Sequence, residues 1–200
     1  MLSSEYCCAK ATACDDTGLI AKYIYLTDPY IYPCICPSHA CEEWQRIIKG
    51  CLSDNNSIYS LDTVSVAKHN NSIIGVACVI PCGKQLTFID SDKIPTSIQQ
   101  GLNTAIEGYF KPLIEESANY DGYNIINVCV DPDYRGQGVG SLIMEHCISE
   151  YGSKTLHLDV IASNLSAIAL YSKFGFTIES KYMGFSGNDI GLECYHMIRR

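Results

Sequence analysis

The sequence predicts an α/β protein of the α+β type, in which helices flank a mixed, mostly antiparallel, twisted sheet of about six or seven strands. Three observations carry this prediction. β-rich runs alternate with helical segments along the chain. Two of these runs enclose a polar tip at Asn70 and Asn71, which indicates an antiparallel hairpin. Strand–helix–strand units across 123–182 require parallel pairing as well.

The first half of the chain predicts one short strand followed by two helices. The strand is expected over 5–10. The segment DDTGLIAKYIYL predicts a helix that Asp15 or Asp16 caps. The segment PSHACEEWQRIIKGCL predicts a second helix, capped by Ser38. Their apolar faces are formed by Leu19, Ile20, Tyr23 and Leu26 in the first helix and by Trp44, Ile47, Ile48 and Leu52 in the second.

The second half predicts four more strands and two more helices. Residues 81–121 show helical spacing with a break at Pro112, and we interpret them as a helical insertion. After it come a strand over 123–130, a glycine-rich segment, and a helix with Val139, Leu142, Ile143 and Cys147 on one face. A strand over 155–162, a helix over 164–174, and the strands GFTIESKYM and ECYHMI complete the chain.

Length and composition limit the class of protein. The 200 residues, 47% of them hydrophobic, predict one domain over 1–200 with a real core. No apolar run reaches the roughly 18 residues that cross a bilayer, and the start of the chain lacks the pattern of a secretory signal. We therefore expect a cytoplasmic protein with no membrane partner. A net charge of −8 argues against nucleic acid as a partner.

The twelve cysteines are interpreted as structural. No Cys-x-x-Cys pair occurs, and Cys78, Cys129 and Cys147 lie inside apolar runs, as small buried hydrophobic residues do. The densest cluster comprises Cys34, Cys36, His39 and Cys41, whose spacing matches no common zinc pattern. The sequence thus predicts no metal site, and a loop that runs into a helix at this cluster.

The segment VDPDYRGQGVG, from Val130 to Gly140, predicts an anion-binding loop. The first amides of a helix lack intrahelical acceptors, and with the helix dipole they attract anions. Glycines allow a phosphate to approach the backbone, and Arg135 adds a planar cation. A diphosphate fits best, although a glycine-rich turn without a ligand stays open. The segment does not match a Walker loop, because it lacks the Gly-Lys-Ser/Thr ending, and it does not match a Rossmann fingerprint, because Ser141 stands at the position of the third glycine.

A second segment, NLSAIALYSKFGF over 164–176, accompanies this loop. Together they resemble the paired signature of the GNAT superfamily of acyl-CoA-dependent N-acetyltransferases. The resemblance extends at residue level over 123–182, the expected cofactor-binding core. Its matched positions are Val130, Pro132, Arg135, Gly136, Gly138, Gly140, Asn164, Ala167, Tyr171, Lys173, Gly175 and Phe176.

The resemblance implies acetyl-CoA as co-substrate and direct transfer of its acetyl group to an amine in a ternary complex. It implies a sheet that splays at its central parallel strand pair, where the pantetheine arm lies along 126–130. Asn164 would contact this arm, although capping of its own helix is an alternative or additional role. The implied cofactor-binding residues are Val128, Val130, Arg135, Gly136, Gln137, Gly138, Val139, Gly140 and Asn164.

The resemblance also implies that Tyr171 is the general acid that protonates the departing CoA thiolate. The alternative is a buried tyrosine that packs its helix on the sheet. No motif identifies the base that must deprotonate the substrate amine. We place Glu193 first, as a carboxylate that opens the last strand, with Asp159, His157 and Asn127 as the other candidates.

Two functional alternatives remain on the same scaffold. One is a non-catalytic sensor of acyl-CoA, against which the retained Tyr171 argues. The other is a transferase of a bulkier acyl group, which depends on the volume of a pocket. The sequence leaves the identity of the substrate amine and the formation of a homodimer open.

Overall fold

A computed structural model of the protein describes residues 6–27, 32, 41–83, 96, 98–100, 120–184 and 191–200. Its strands are β1 (Tyr6–Lys10), β2 (Val64–His69), β3 (Ser72–Pro81), β4 (Tyr123–Val130), β5 (Leu156–Ile161), β6 (Thr177–Gly184) and β7 (Leu192–Arg199). The main helices are α1 (Thr17–Thr27), α2 (Cys41–Cys51), α3 (Val139–Tyr151) and α4 (Leu165–Lys173). The order of these elements is the one that the sequence predicts.

The strands form one seven-stranded sheet in the spatial order β1-β2-β3-β4-β5-β7-β6. Only β4 and β5 pair in parallel, and the other neighbours are antiparallel. The parallel pair is joined at two positions alone, Tyr123 with Leu156 and Asn124 with His157. Beyond these positions β4 and β5 are no longer paired, so the sheet splays at its centre. The predicted mixed sheet is thereby confirmed.

Local sequence signals explain the ends of several elements. Asn70 and Asn71 have φ of 49° and 64°, which asparagine tolerates in the tight turn between β2 and β3. The Asp16 carboxylate caps α1 by accepting hydrogen bonds from the amides of Gly18 and Leu19. The prediction for Leu26 is wrong: it is 43% exposed because it lies in the last turn of α1, beyond the face that contacts the sheet.

Two hydrophobic cores lie on opposite faces of the sheet. The helices α1 and α2 cover one face, where Ile24 and Trp44 pack against Val66. The helices α3 and α4 cover the other, where Ile143 and Tyr171 pack with Leu158. Side chains alternate between the faces along the regular stretches of each strand, so each core can be followed by residue parity except across the bulges.

Glycine at position 75 of β3 brings three elements together. A Cβ atom there would lie 2.7 Å from the carbonyl oxygen of Cys129 in β4 and 3.1 Å from Cδ1 of Ile143 in α3. Both distances are too short for an ordinary side chain, so the close packing of α3 on the centre of the sheet requires Gly75.

Some predicted features fall outside the described residues. These are most of the helical insertion over 81–121, the Ser38 cap, and Cys34, Cys36 and His39 of the cysteine cluster. Cys41 is exposed at the start of α2. The cysteines of the described ranges form no disulfide. No helix in those ranges is long and apolar enough to cross a membrane.

Candidate active site

The glycine-rich segment connects β4 to α3. After Val130 the chain makes a short 3-10 turn over Pro132–Tyr134, and α3 begins at Val139. Gly136 and Gly138 have φ of 72° and 88°. Side chains disfavour this left-handed region, so the tight passage from strand to helix accounts for glycine at these two positions.

The loop presents unpaired amides in a row. The first hydrogen bond of α3 runs from the amide of Leu142 to the carbonyl of Gly138. Among the described residues, the backbone amides of 136–141 donate to no acceptor. They lie at the positive end of the α3 dipole, where phosphate oxygens supply the acceptors that these amides lack. The loop therefore fits the diphosphate of acetyl-CoA.

Polar side chains around the loop stabilise its conformation. Nε of Arg135 donates to the carbonyl of Val130 at 3.1 Å, so the guanidinium bends back over the end of β4. Gln137 donates to the carbonyl of Asp133 at 2.7 Å and accepts from the Tyr6 hydroxyl at 3.1 Å. Lys173 of α4 donates to Oγ of Ser141 at 3.3 Å, which places a second cation at the start of α3.

Val139 and Gly140 contribute to packing more than to the surface of the loop. The Val139 side chain is buried in the core under α3. A Cβ atom at Gly140 would lie 3.1 Å from Cδ2 of Leu170, so glycine here lets α4 approach α3. The sequence prediction assigned Gly140 to the cofactor alone and missed this contact between the helices.

A β-bulge interrupts β4 within the segment where the pantetheine arm is expected. The register with β3 shifts between the pair Val76 and Cys129 and the pair Cys78 and Ile126. Asn127 has φ of 54° at this point, and its Nδ2 donates to Oγ1 of Thr27, the last residue of α1, at 2.6 Å. A bulge leaves one backbone position out of the ladder, so an amide of this segment can bind another group.

The bulge also sets the direction of the two valines predicted to bind the cofactor. Val128 and Val130 pack on the core beneath α3, together with Ile125. Without the extra residue at Asn127, regular alternation would turn them to the opposite face. They therefore shape the wall of the splay by apolar contact.

Sequence reasoning missed the bond that ties α1 to the loop. The Tyr23 hydroxyl donates to Oδ2 of Asp131 at 2.6 Å, and Oδ1 of Asp131 accepts from the amide of Asp133 at 2.9 Å. The hydrogen bond from Tyr23 lowers the pKa of the Asp131 carboxyl, and burial raises the pKa of Tyr23. The available signal was an aspartate directly before a proline, a common start for a turn.

Asn164 occupies the cap position of α4. Its Oδ1 accepts from the amide of Ala167 at 3.2 Å and from Oγ of Ser166 at 3.1 Å. The capping role is thus confirmed. Contact with the pantetheine arm stays a prediction.

Tyr171 lies in the core between α4 and the sheet. It is 8% exposed, and its ring centroid is 6.2 Å from that of Phe176. Burial, with a contribution from Cys147, raises the pKa of Tyr171 to about 12. In the described part of the chain its hydroxyl makes no hydrogen bond. Tyr171 therefore packs the helix, and its role as a proton donor stays a prediction.

Two histidines and an aspartate form a hydrogen-bonded chain across β5 and β7. Nδ1 of His196 lies 3.0 Å from Oδ1 of Asp159, and Nε2 of His196 lies 3.2 Å from Nδ1 of His157. Nε2 of His157 lies 3.1 Å from the carbonyl oxygen of Asp121. Both imidazoles are buried, whereas the Asp159 side chain is 37% exposed. Asp121 is exposed as well, so both ends of this polar chain lie near the surface.

The position of Asp159 relates this chain to the splay. It lies two residues beyond His157, past the last position at which β4 and β5 pair. Leu158 and Val160 pack under α3 and α4, so Asp159 points to the face that α1 and α2 cover. Burial and the nearby Asp159 carboxylate raise the pKa of Tyr182 on β6. Asp159 thus offers a proton acceptor beside the expected thioester position.

Glu193, placed first as the base in the sequence prediction, lies elsewhere. Its carboxylate pairs with Lys181 at 3.6 Å and is about half exposed. Tyr195, two residues after Glu193 in β7, packs with the core beneath α3 and α4. Residues two apart in a strand share a face, so Glu193 lies on that face too. Glu193 and Asp159 therefore lie on opposite faces of the sheet.

A splayed mixed sheet beside an anion-binding loop defines an α+β protein of the kind that binds a nucleotide cofactor at its parallel strand pair. The model of the acetyltransferase (GNAT) family matches residues 29–176. This match covers more than half of the chain. The chain therefore belongs to the GNAT acetyltransferase family.

Curated relatives match over a shorter segment. The ribosomal protein bS18-alanine N-acetyltransferase of Escherichia coli strain K12 is 47% identical over 68 residues, which are 31% of this chain and 46% of the relative. The putative enzyme of the same name from Bacillus subtilis strain 168 is 33% identical over 75 residues, covering 34% of this chain and 50% of the relative. The chain spans about half the length of the curated relatives that it matches.

Solved structures share the fold over nearly the whole chain. An N-acetyltransferase from Staphylococcus aureus Mu50 has a TM-score of 0.75 at 19% identity and covers 96% of this chain and 99% of its own. A GNAT family acetyltransferase from Elizabethkingia anophelis, solved with acetyl-CoA bound, has a TM-score of 0.57 at 15% identity and covers 99% of both chains. At these identities the likeness concerns the fold.

Proposed function

We propose that the protein is an N-acetyltransferase that moves the acetyl group of acetyl-CoA directly to an amine in a ternary complex. The observation that carries this proposal is the row of unpaired amides over 136–141 beside the splay of β4 and β5. Arg135 and Lys173 add positive charge at the same place. Acetyl-CoA would supply an activated thioester, and the residues of this chain would orient it.

The bulge in β4 has the features needed to polarise a carbonyl. An amide released from the ladder near Asn127 would donate to the thioester oxygen as negative charge develops there. In a serine protease, removal of one oxyanion-hole donor lowers kcat by about 10²–10³. The bond between Asn127 and Thr27 fixes the bulge, so this donor is preorganised.

We propose Tyr171 as the donor of the proton that the CoA thiolate takes up. A phenol with a pKa raised by burial keeps its proton at neutral pH. Asn164, seven residues earlier, lies on roughly the same side of α4, so both side chains would line the groove of the pantetheine arm. The packing of the Tyr171 ring is compatible with donation, because only the hydroxyl takes part.

We propose Asp159 ahead of Glu193 as the base that accepts the proton of the substrate amine. Asp159 lies on the splayed part of β5 and continues into a buried polar chain, whereas Glu193 is paired with Lys181 on the other face. An α-amino group, with a reference pKa of about 8, needs less help from a base than a lysine does.

The acetyltransferases named after ribosomal protein bS18 act on alanine, according to their names. A plant neighbour, Arabidopsis thaliana Naa50, was solved with a bisubstrate analogue that joins CoA to the peptide MVNAL. Peptides with a free N-terminal alanine or methionine are therefore the first amines to test. The cytoplasm is the proposed compartment, because a reducing environment keeps the many cysteines as thiols.

The experiment measures release of the CoA thiol from acetyl-CoA over a panel of peptides, polyamines and free amino acids. We expect turnover with at least one amine, and no release with any amine would contradict the proposal. The variants Asp159→Asn and Glu193→Gln then compare the two carboxylates. Loss of a general base lowers kcat by about 10²–10⁴, and the variant with the larger fall identifies the base.

A further inference from the structure

The chain of polar groups behind Asp159 is continuous, and its two imidazoles are buried. It runs from the Asp159 carboxylate through His196 and His157 to the backbone carbonyl of Asp121. The ring of Tyr120 stacks on both imidazoles, with centroids 4.6 Å from His157 and 4.9 Å from His196. The Asp159 side chain is 37% exposed and Asp121 is exposed too, so water can reach both ends of this chain.

The carbonyl of Asp121 determines which ring nitrogens carry hydrogen. A carbonyl oxygen only accepts, so Nε2 of His157 must be protonated. If His157 is neutral, its Nδ1 accepts, and Nε2 of His196 must donate to it. A neutral His196 then presents a lone pair at Nδ1 to a carboxylate that also only accepts.

The hydrogen bonds of this chain are therefore one proton short when both imidazoles are neutral and Asp159 is ionised. In the other tautomer of His196, Nδ1 donates to Asp159. Its Nε2 is then an acceptor that faces Nδ1 of His157, which is also an acceptor. Two acceptors that face each other without a hydrogen between them repel, so this arrangement is unfavourable. One additional proton completes every hydrogen bond, so the geometry favours proton uptake.

We propose that Asp159, His196 and His157 act as one proton-accepting unit for the substrate amine. This inference rests on the proposed function. Asp159 is the catalytic residue, since it would meet the amine, and the two histidines are positioning residues. The proton leaves the ammonium group for the Asp159 carboxylate, and the lone pair it leaves on nitrogen attacks the thioester carbon. The C–S bond then breaks, the CoA thiolate takes the proton of the Tyr171 hydroxyl, and the second proton that the nitrogen loses restores that hydroxyl. The unit returns the proton to solvent through Asp159 before the next turnover.

The burial of His157 determines where the additional proton resides. Burial lowers the pKa of His157, so this imidazole is the member of the unit that stays neutral. The additional proton belongs to the coupled groups as a whole rather than to one residue. The other titratable or charged groups that face the unit are Tyr120, Asp121, Tyr182, Cys194 and Arg200.

Nitrogen-15 NMR of the histidine rings tests the unit on the full chain without ligand. His157→Gln and His196→Gln assign the two rings among the five histidines. With the unit protonated, we expect hydrogen on Nε2 alone in His157 and on both nitrogens in His196. A His157 ring that carries hydrogen on Nδ1 alone would overturn the proposal. So would a His196 ring that stays singly protonated from about pH 5 to about pH 9.

A kinetic experiment tests the consequence for catalysis. His157→Phe keeps an aromatic ring beneath Tyr120 but removes the nitrogen that constrains His196. His196 can then satisfy Asp159 as a neutral donor, so the unit loses its excess proton affinity. We expect the acidic limb of the kcat profile to move to lower pH and kcat to fall about tenfold, with an unchanged KM for acetyl-CoA.

The control is His146→Gln, which removes an imidazole on α3 that bonds to Ser65 outside the unit. This variant should keep the parental pH profile. If His157→Phe also keeps it, the proposal fails although acetyl transfer stands. If the parent acetylates no amine, the proposed function fails, and the NMR result still decides whether the unit exists.

Discussion

At the scale of single residues, Tyr171 shows how packing and chemistry can share one side chain. Its ring fills the core between α4 and the sheet, which the sequence allows for any aromatic residue at this position. Its hydroxyl contributes no hydrogen bond within the described residues, so stability gives no reason for tyrosine over phenylalanine. The proposed role in proton transfer would supply that reason.

Tyr171→Phe separates the two roles. The ring stays in place, so we expect the melting temperature and the calorimetric affinity for CoA to remain nearly parental. Without the proton donor, kcat should fall at least about tenfold. The control is Tyr151→Phe, the same chemical change on α3, where the ring packs with Tyr123 and kcat should not change. A Tyr171→Phe enzyme with parental kcat would reduce Tyr171 to a packing residue.

The base could not be ranked from the sequence for a physical reason. Asp159 and His196 are 37 positions apart and meet only through the register of β5 with β7. Strand patterns predict both strands but not which residues stand opposite each other. Glu193 was preferred because it opens a strand, yet strand parity turns it away from this cluster. Polar residues in otherwise apolar strands, such as His157 and His196, were the usable signal.

At the scale of elements, the loop from Arg135 to Gly140 was predicted well because its chemistry is local. Left-handed φ values, a helix start and unpaired amides all follow from adjacent residues. The β-bulge at Asn127 could not be predicted, since it depends on how β4 pairs with β3. The contact of Gly140 with Leu170 was missed because it needs the packing of two helices.

Gly138→Asp tests the loop. Aspartate tolerates left-handed φ better than most residues, so the variant should fold. Its carboxylate would repel the diphosphate and crowd the amides, and we expect CoA affinity measured by calorimetry to fall at least about tenfold.

Gly138→Asn serves as the matched control, because it has nearly the same shape without the charge. It should bind CoA more tightly than Gly138→Asp does. Equal affinities of Gly138→Asp and the parent would show that the diphosphate binds elsewhere.

At the scale of the whole molecule, the sheet separates the two proposed proton-transfer groups. Asp159 points to the face covered by α1 and α2, and Tyr171 packs on the face covered by α3 and α4. The splay between β4 and β5 is the opening through which groups from both faces can approach one bound thioester. Under the proposed function, the amine would approach from the Asp159 face and the thiolate would leave toward the Tyr171 face.

Gly75→Ala tests the dependence of this architecture on close packing at its centre. The added methyl group would clash with the Cys129 carbonyl and Ile143, which should cost about 1–3 kcal/mol of unfolding free energy. For 200 residues each kcal/mol lowers the melting temperature by about 2–4 °C, which calorimetry can measure.

Gly50→Ala is the matched control, because a Cβ atom there meets nothing within 4 Å and alanine favours the helix. It should keep or raise the melting temperature. A Gly75→Ala protein as stable as Gly50→Ala would show that α3 can shift without cost.

The two hydrogen bonds of α1 to β4 and the loop have a mechanical consequence. Tyr23 binds Asp131, and Thr27, one helical turn later, binds Asn127. Both ends of the segment 127–131 are therefore hydrogen-bonded to the same helix, α1. The bulge cannot move along β4 without breaking one of these two hydrogen bonds. The distance between the glycine-rich loop and the bulge at Asn127 is therefore held constant by α1.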